Sequence, residues 1–194
     1  MPLASSASCR SRVMNLHVIR LATIVAAFGV IVACGTSKTS ETNDAPREPA
    51  GFDRQVMRVS TVDSAGGIES IDRCVWVADT SDERRRGLMG VTTLGAADGM
   101  LFVQEQPTSG AFWMKDTLID LSIAFFNQDG EFLDAMNMSP CLATNGNDCP
   151  RYQTPSSYVF ALEVAQGDLA ELGIHSTSII SLVDQTCSSS TARE

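Results

Sequence analysis

Apolar and polar positions divide the chain into three regimes. Leu21 to Val32 is almost continuously apolar, Thr36 to about Gly51 has almost nothing to bury, and from about Phe52 onward short apolar stretches are broken by turn residues. In that last part Gln55–Val62 and Cys74–Ala78 read as strands separated by the turn residues Asp63–Gly67. Thr80-Ser81-Asp82-Glu83 opens a short helix, with a hydroxyl cap and first-turn carboxylates, and Gly87-Leu88-Met89-Gly90 ends it. The apolar run Met100–Val103 leads into Gly110–Thr117, where strand geometry would place Phe112, Met114 and Asp116 on one face and Trp113, Lys115 and Thr117 on the other. Leu118–Phe126 alternates Leu121, Ile123 and Phe125 with Asp120, Ser122 and Ala124. The turn Asn127–Gly130 then joins it to Glu131–Met138 as a hairpin. Tyr158–Val164 is a further strand with Tyr158, Phe160, Leu162 and Val164 on one side, Gly167–Gly173 reads as a second short helix, and Ser178–Val183 completes the set. The expected fold is α+β: mostly antiparallel, a curved or barrel-like sheet with two short helices.

The amino-terminal apolar run is too short to span a bilayer and follows Arg10, Arg12 and Arg20, the layout of a secretory signal. It ends Ile31-Val32-Ala33-Cys34-Gly35, which resembles a lipobox, so Cys34 is the expected lipidation site. The expected organisation is a signal over residues 1–33, the lipidated Cys and a disordered tether over 34–53, one globular domain over 54–187, and a disordered tail over 188–194. Acyl chains on Cys34 would make a membrane the first partner and place the protein in the cell envelope, at an outer membrane if the organism has one.

Charge narrows the partners. Of 14 basic residues three lie in the leader, leaving eleven against 23 acidic ones, all after Cys34. Such a surface repels phosphate backbones, so nucleic acid is not an expected partner. Four cysteines remain in the domain. Cys141 and Cys149 bracket a loop-like Leu-Ala-Thr-Asn-Gly-Asn-Asp segment, and Cys74 and Cys187 are the pair left over. A four-thiolate metal site is the alternative, but the spacings lack close Cys-x-x-Cys pairs.

Arg84-x-x-Gly87-Leu88-Met89, Gly99-Met100-Leu101-Phe102, Phe112-Trp113-Met114-Lys115-x-Thr117 and Tyr158-x-x-x-Leu162-Glu163-Val164 follow one another in an order that resembles the bacterial and archaeal family catalogued as domain of unknown function 192. The resemblance runs from about Cys74 to Val183. Met138-x-Pro140-Cys141 with Cys149-Pro150-x-Tyr152 is similar to a Cys-bearing branch of that family, which supports the loop disulfide. Where the family commonly reads Lys-Asn-Thr and Ile-Pro-Leu-Asp-Ile, this chain has Lys115-Asp116-Thr117 and Ile119-Asp120-Leu121-Ser122-Ile123, so chemistry that needed the strand Asp is not expected here. The resemblance implies a fold and no settled activity.

Three chemistries are compatible with the residues. A binding module would use the flat faces of Trp113, Tyr152 and Tyr158 with Lys115, Asp116, Thr117 and Glu163 as polar handles, for a small ligand, glycan or protein partner. A hydrolase would need paired carboxylates, with Asp116 and Glu163 the leading candidates and Asp120 and Asp129 behind them. A Cu(I) site would draw on Met136 and Met138, two apart on one strand face, with His175 and with Met89, Met100 and Met114, although Met is also an ordinary core filler. Arg84, Arg85 and Arg86 read as a solvated last-turn cluster that an anionic headgroup could also use. The domain is expected to bind rather than turn over its ligand, without a cofactor.

Overall fold

Seven strands form one sheet in the order β5-β4-β6-β3-β2-β1-β7. They are β1 Asp53–Val62, β2 Ile68–Ala78, β3 Gly99–Thr108, β4 Leu121–Phe126, β5 Phe132–Met138, β6 Tyr158–Ala165 and β7 Ser178–Thr186, with one helix, α1, over Ser81–Arg86. The computed structural model describes residues 45–62 and 65–187, all within one compact unit, Asn43–Glu194. The expected signal, the expected lipidation site Cys34, most of the expected tether, Asp63, Ser64 and the expected tail from 188 lie outside the described residues.

All neighbouring strands are antiparallel except β2 and β3, which run parallel because α1 and the Leu88–Asp98 segment carry the chain from the end of one strand to the start of the other. Such a crossover is what parallel pairing requires. The sheet curves without closing. Its edge strands approach at one place, where Glu131 bridges Ile179 and the Ile180 amide donates to the Gly130 carbonyl at 2.8 Å. The result is largely β, and the α+β expectation holds only in part.

Apolar side chains pack on both faces. One cluster contains Met100, Phe102, Leu121, Ile123, Phe125 and Met138 with Leu88, Val91 and Met114. The other contains Met57, Val59, Val75, Val77, Leu101, Ala124, Phe126, Leu162, Val164 and Ile180 with Leu172 and Ile174. Strand β4 is buried at all six positions, so its expected alternation with a polar face is replaced by burial on both sides. Ser122 survives there because its hydroxyl donates to Asn137 Oδ1 at 2.7 Å and accepts from the Gly167 amide at 3.1 Å, which satisfies a buried polar group.

Local signals explain α1. The Thr80 hydroxyl accepts from the Glu83 amide while the Glu83 carboxylate accepts from the Thr80 amide, a reciprocal capping box. This bonding holds the Glu83 carboxyl below its usual range, the Thr80 side chain contributing most. The arginines of the last turn are solvated in part: Arg85 and Arg86 are exposed and Arg84 is half-buried, and each has a partner. Arg84 donates to the Val103 carbonyl at 2.9 Å, Arg85 pairs with Asp82 at 2.6 Å, and Arg86 lies 4.2 Å over the Phe52 ring and donates to Gly51.

Three further expectations change. Gly167–Gly173 is a succession of turns, not a helix, and its hydrogen bonds span mixed separations: Leu172 to Asp168, Gly173 to Ala170 and Ile174 to Leu169. The stretch expected as tether up to residue 53 packs on the domain from Arg47 onward: the Thr92 amide donates to the Arg47 carbonyl at 2.9 Å, the Arg47 amide donates to the Thr92 hydroxyl at 2.8 Å, and Pro49 is buried. Tyr158 belongs to the cluster opposite that of Leu162 and Val164, at the end of β6 where the β3–β6 pairing is irregular between Val103 and Thr108.

Candidate functional site

The segment around Phe112-Trp113-Met114-Lys115 is not a regular strand. Phe112 forms a two-bond bridge with Tyr152, its amide to the Tyr152 carbonyl at 2.8 Å and the Tyr152 amide to its own carbonyl at 3.0 Å. Lys115 bridges Cys141: the Cys141 amide donates to the Met114 carbonyl at 3.0 Å and the Asp116 amide to the Cys141 carbonyl at 2.9 Å. The motif is therefore held at both ends by the segment that contains the Cys141–Cys149 disulfide. Between these supports Gly146 lies so close that a Cβ there would stand 2.7 Å from Lys115 Cδ and 2.9 Å from Trp113 Cζ3. Only a residue without a side chain fits that approach.

Asp116 has φ +55°, the one positive value among described non-glycine residues. Strand alternation ends there, and the Lys115 ammonium contacts the Asp116 carboxylate as an ion pair, which the expected opposite faces would have prevented. Asn and Asp are the non-glycine residues that best tolerate this backbone region. The position thus has a conformational requirement that both Asp116 and the Asn common in the resembled family satisfy.

Phe112 and Trp113, with Phe102, Tyr158, Gly110 and Ala111, line a surface groove of about 300 Å³ whose polar rim is Arg84, Arg85, Gln104 and Thr108. This is at the small end of ligand pockets, roughly 300–1,000 Å³. Phe112 meets Phe102 edge-on, centroids 5.1 Å apart, and is tilted against Tyr158 at 6.0 Å. Burial pushes the Tyr158 phenol up to about 12, and its hydroxyl donates to the Gly110 carbonyl at 2.9 Å. The Arg151 guanidinium stacks 4.4 Å from the Trp113 ring centroid. Arg84, Arg85, Gln104, Thr108 and Phe112 were absent from the expected binding set. The arginine run was visible in the sequence, but its position beside the aromatics depends on the β2–α1–β3 crossover.

The expected handles are not gathered in one place. Trp113 and Tyr158 reach the groove, whereas Lys115 and Asp116 pair with each other, Thr117 is buried, and the Tyr152 hydroxyl accepts from the Ser139 amide at 3.3 Å. Glu163 stands between Met100 of β3 and Ile123 of β4 in the sheet and is only 4% exposed. Burial alone pushes its carboxyl up to about 8, so it is largely protonated at neutral pH. Asp116, Asp120 and Asp129 are exposed while Glu163 is interior, and the acid–base pair expected of Asp116 and Glu163 is not assembled. Nor are the expected thioether and imidazole ligands. Met138 is packed with Leu121 and Ile123, whereas His175 is exposed beside Val59 and Ile71 and its Nδ1 lies 2.9 Å from the Ser178 hydroxyl. Among the described residues no group of three or more His, Cys, Asp or Glu is placed to hold a metal ion.

Both expected disulfides are present, Cys74–Cys187 and Cys141–Cys149, each with Cα atoms 5.7 Å apart. The features define a curved-sheet domain with a disulfide-framed aromatic groove. The chain belongs to the family of uncharacterized conserved proteins described as DUF192 (Uncharacterized ACR), whose model matches residues 61–182. A solved protein from Sinorhizobium meliloti 1021, provisionally described as a transcription regulator, is similar in structure at a TM-score of 0.56 and 21% identity, covering 69% of this chain and 97% of that one. That likeness concerns the fold alone. A protein of unknown function from Novosphingobium aromaticivorans DSM 12444 aligns at a TM-score of 0.54 with 28% identity, covering 76% of this chain and 99% of its own. No curated protein matches the sequence.

Proposed function

We propose that this chain is a lipid-anchored envelope protein whose domain binds a small organic ligand in the Phe112–Trp113 groove and does not transform it. The observation that carries the reading is the groove's lining: four aromatic rings and the polar side chains of Arg84, Arg85, Gln104 and Thr108, with no carboxylate, thiol or imidazole among its walls. Such walls offer apolar contact and orientation, as binding requires, and provide no nucleophile–base couple. Anchoring rests on the Cys34 sequence context, and the two disulfides suit a domain that folds in an oxidising compartment.

The test is a titration of the isotope-labelled chain with glucose, N-acetylglucosamine, glucuronate and trialanine, followed by amide NMR. Binding in the groove moves the Gly110, Ala111 and Phe112 amides with at least one of the four, and Trp113→Ala weakens that response at least tenfold. If none of the probes moves these amides, or the response survives Trp113→Ala undiminished, the groove is not the site. Cys34→Ser is expected to abolish incorporation of labelled palmitate and release the protein from the membrane fraction. Retention of both would remove the anchor.

A further inference from the structure

The groove's charge is opposite to that of the chain. Acidic residues outnumber basic ones 23 to 14 overall, yet the charged side chains lining the groove are Arg84 and Arg85. Taking the groove as the binding site, we infer that its ligand is an acidic sugar, a pyranose ring carrying a carboxylate. Each part of such a ligand has a counterpart. The apolar face of a sugar ring packs on aromatic side chains, here Trp113 and Phe112, while Gln104 and Thr108 supply an amide and a hydroxyl for ring oxygens.

The two arginines have different roles in receiving the carboxylate. Arg84 is fixed: its Nη1 donates to the carbonyls of Asp79 and Val103, and its side chain is 17% exposed. Its Nη2 makes a long ion pair with the 84% exposed Glu105, 3.9 Å to Oε1, without a hydrogen bond, and a pair so exposed is weak enough for a ligand carboxylate to replace. A guanidinium carries five N–H donors in a rigid fork, so anchoring one nitrogen orients the others with little further loss of side-chain freedom. Arg85 is 71% exposed and paired only with Asp82, itself 87% exposed. Exposed pairs of this kind are weak, and exchanging Asp82 for a ligand carboxylate costs little. A bare anion would use the arginines and leave the aromatic wall unused, and a neutral sugar would do the reverse. The acidic sugar uses both.

The experiment compares glucuronate, glucose and benzoate on the full chain, reading the Trp113 indole and Gly110 amide by NMR. Glucuronate is expected to bind at least tenfold more tightly than glucose or benzoate, and Arg85→Gln is expected to narrow the glucuronate-to-glucose ratio at least threefold. The preference should weaken as salt is raised from 20 to 300 mM, as for an ionic contact. Equal binding of glucose and glucuronate would overturn the acidic-sugar assignment and leave the groove as a binding site. Benzoate binding as tightly as glucuronate would overturn it by showing that the sugar hydroxyls are not read. Failure of all three to move either signal would overturn this inference; the binding reading beneath it falls only if N-acetylglucosamine and trialanine also leave the groove amides unmoved. Unchanged glucuronate affinity in Arg85→Gln and in Arg84→Lys would remove the arginines from the site.

Discussion

The Tyr158 hydroxyl donates to the Gly110 carbonyl at 2.9 Å across 48 residues of sequence, tying the first residue of β6 to the turn that carries Phe112 and Trp113. The groove wall is thus positioned by a side chain that also belongs to the core. Tyr158→Phe keeps the ring packing against Phe125, centroids 4.9 Å apart, and removes one hydrogen bond. The expected loss is about 1 kcal/mol of stability, seen as a lower urea midpoint, with chemical-shift changes centred on Gly110 and Ala111.

Glu163 makes stability depend on pH in an unusual direction for a carboxylate. Its folded value, about 8, is raised above the ordinary 4.5, so the folded state holds a proton that the unfolded state has released. The stability linked to this proton is fully present below pH 4.5 and is lost as pH rises through about 8. The total is on the order of a few kcal/mol, since each pH unit in that window contributes about 1.4 kcal/mol. Glu163→Gln should flatten the decline measured by urea unfolding between pH 5 and 8. A decline that persists undiminished would mean that another group drives it.

The two disulfides differ in the loops they close, with sequence separations of 113 and 8. On the chain-entropy estimate, removing Cys74–Cys187 as a double serine variant costs about 5 kcal/mol, and removing Cys141–Cys149 about 2.5 kcal/mol. Guanidinium unfolding of the two variants should therefore rank in that order. The smaller loss should bring the larger change at Trp113, because Gly146 and the Lys115–Cys141 bridge lie within that loop.

Asp116 sits at φ +55°. Asp116→Asn and Asp116→Gly are expected to stay within about 0.5 kcal/mol of the parent, whereas Asp116→Val costs on the order of 1–3 kcal/mol through backbone strain. Thermal unfolding of the three variants separates this conformational role from a catalytic one. A loss in Asp116→Asn as large as in Asp116→Val would show that the carboxylate itself is required.

Those four contrasts also mark where sequence patterns succeed. The Thr80 and Glu83 pair predicts α1 because a capping box is local, and the apolar runs predict β1, β2 and β4 to β7 because strand burial is written at adjacent positions. What failed depended on distant partners. Phe112–Thr117 has strand-like composition, but its hydrogen bonds go to Tyr152 and Cys141 on either side of a closed loop, and a backbone with positive φ at Asp116 interrupts it. Gly167–Gly173 carries helix punctuation around too few residues to sustain a helix against packing of Leu172 and Ile174. Glu163 read as a surface handle because charge normally marks exposure, and only the register with Met100 and Ile123 shows it to be interior. The arginine side of the groove was equally hidden, since no local pattern places Arg84 beside Val103.

The strand order has a consequence for how the domain is made. β1, the first strand, lies between β2 and β7, the last, so one of its edges stays unsatisfied until Ser178–Thr186 has arrived. Contacts between the two ends of a chain make for slow folding. A nascent chain that has released only its first six strands lacks both that edge partner and Cys187, the second half of the long cross-link. The β1–β7 pairing and the Cys74–Cys187 cross-link therefore form only once Ser178–Cys187 has been made, whereas the contiguous order β5-β4-β6-β3-β2-β1 needs nothing from that segment.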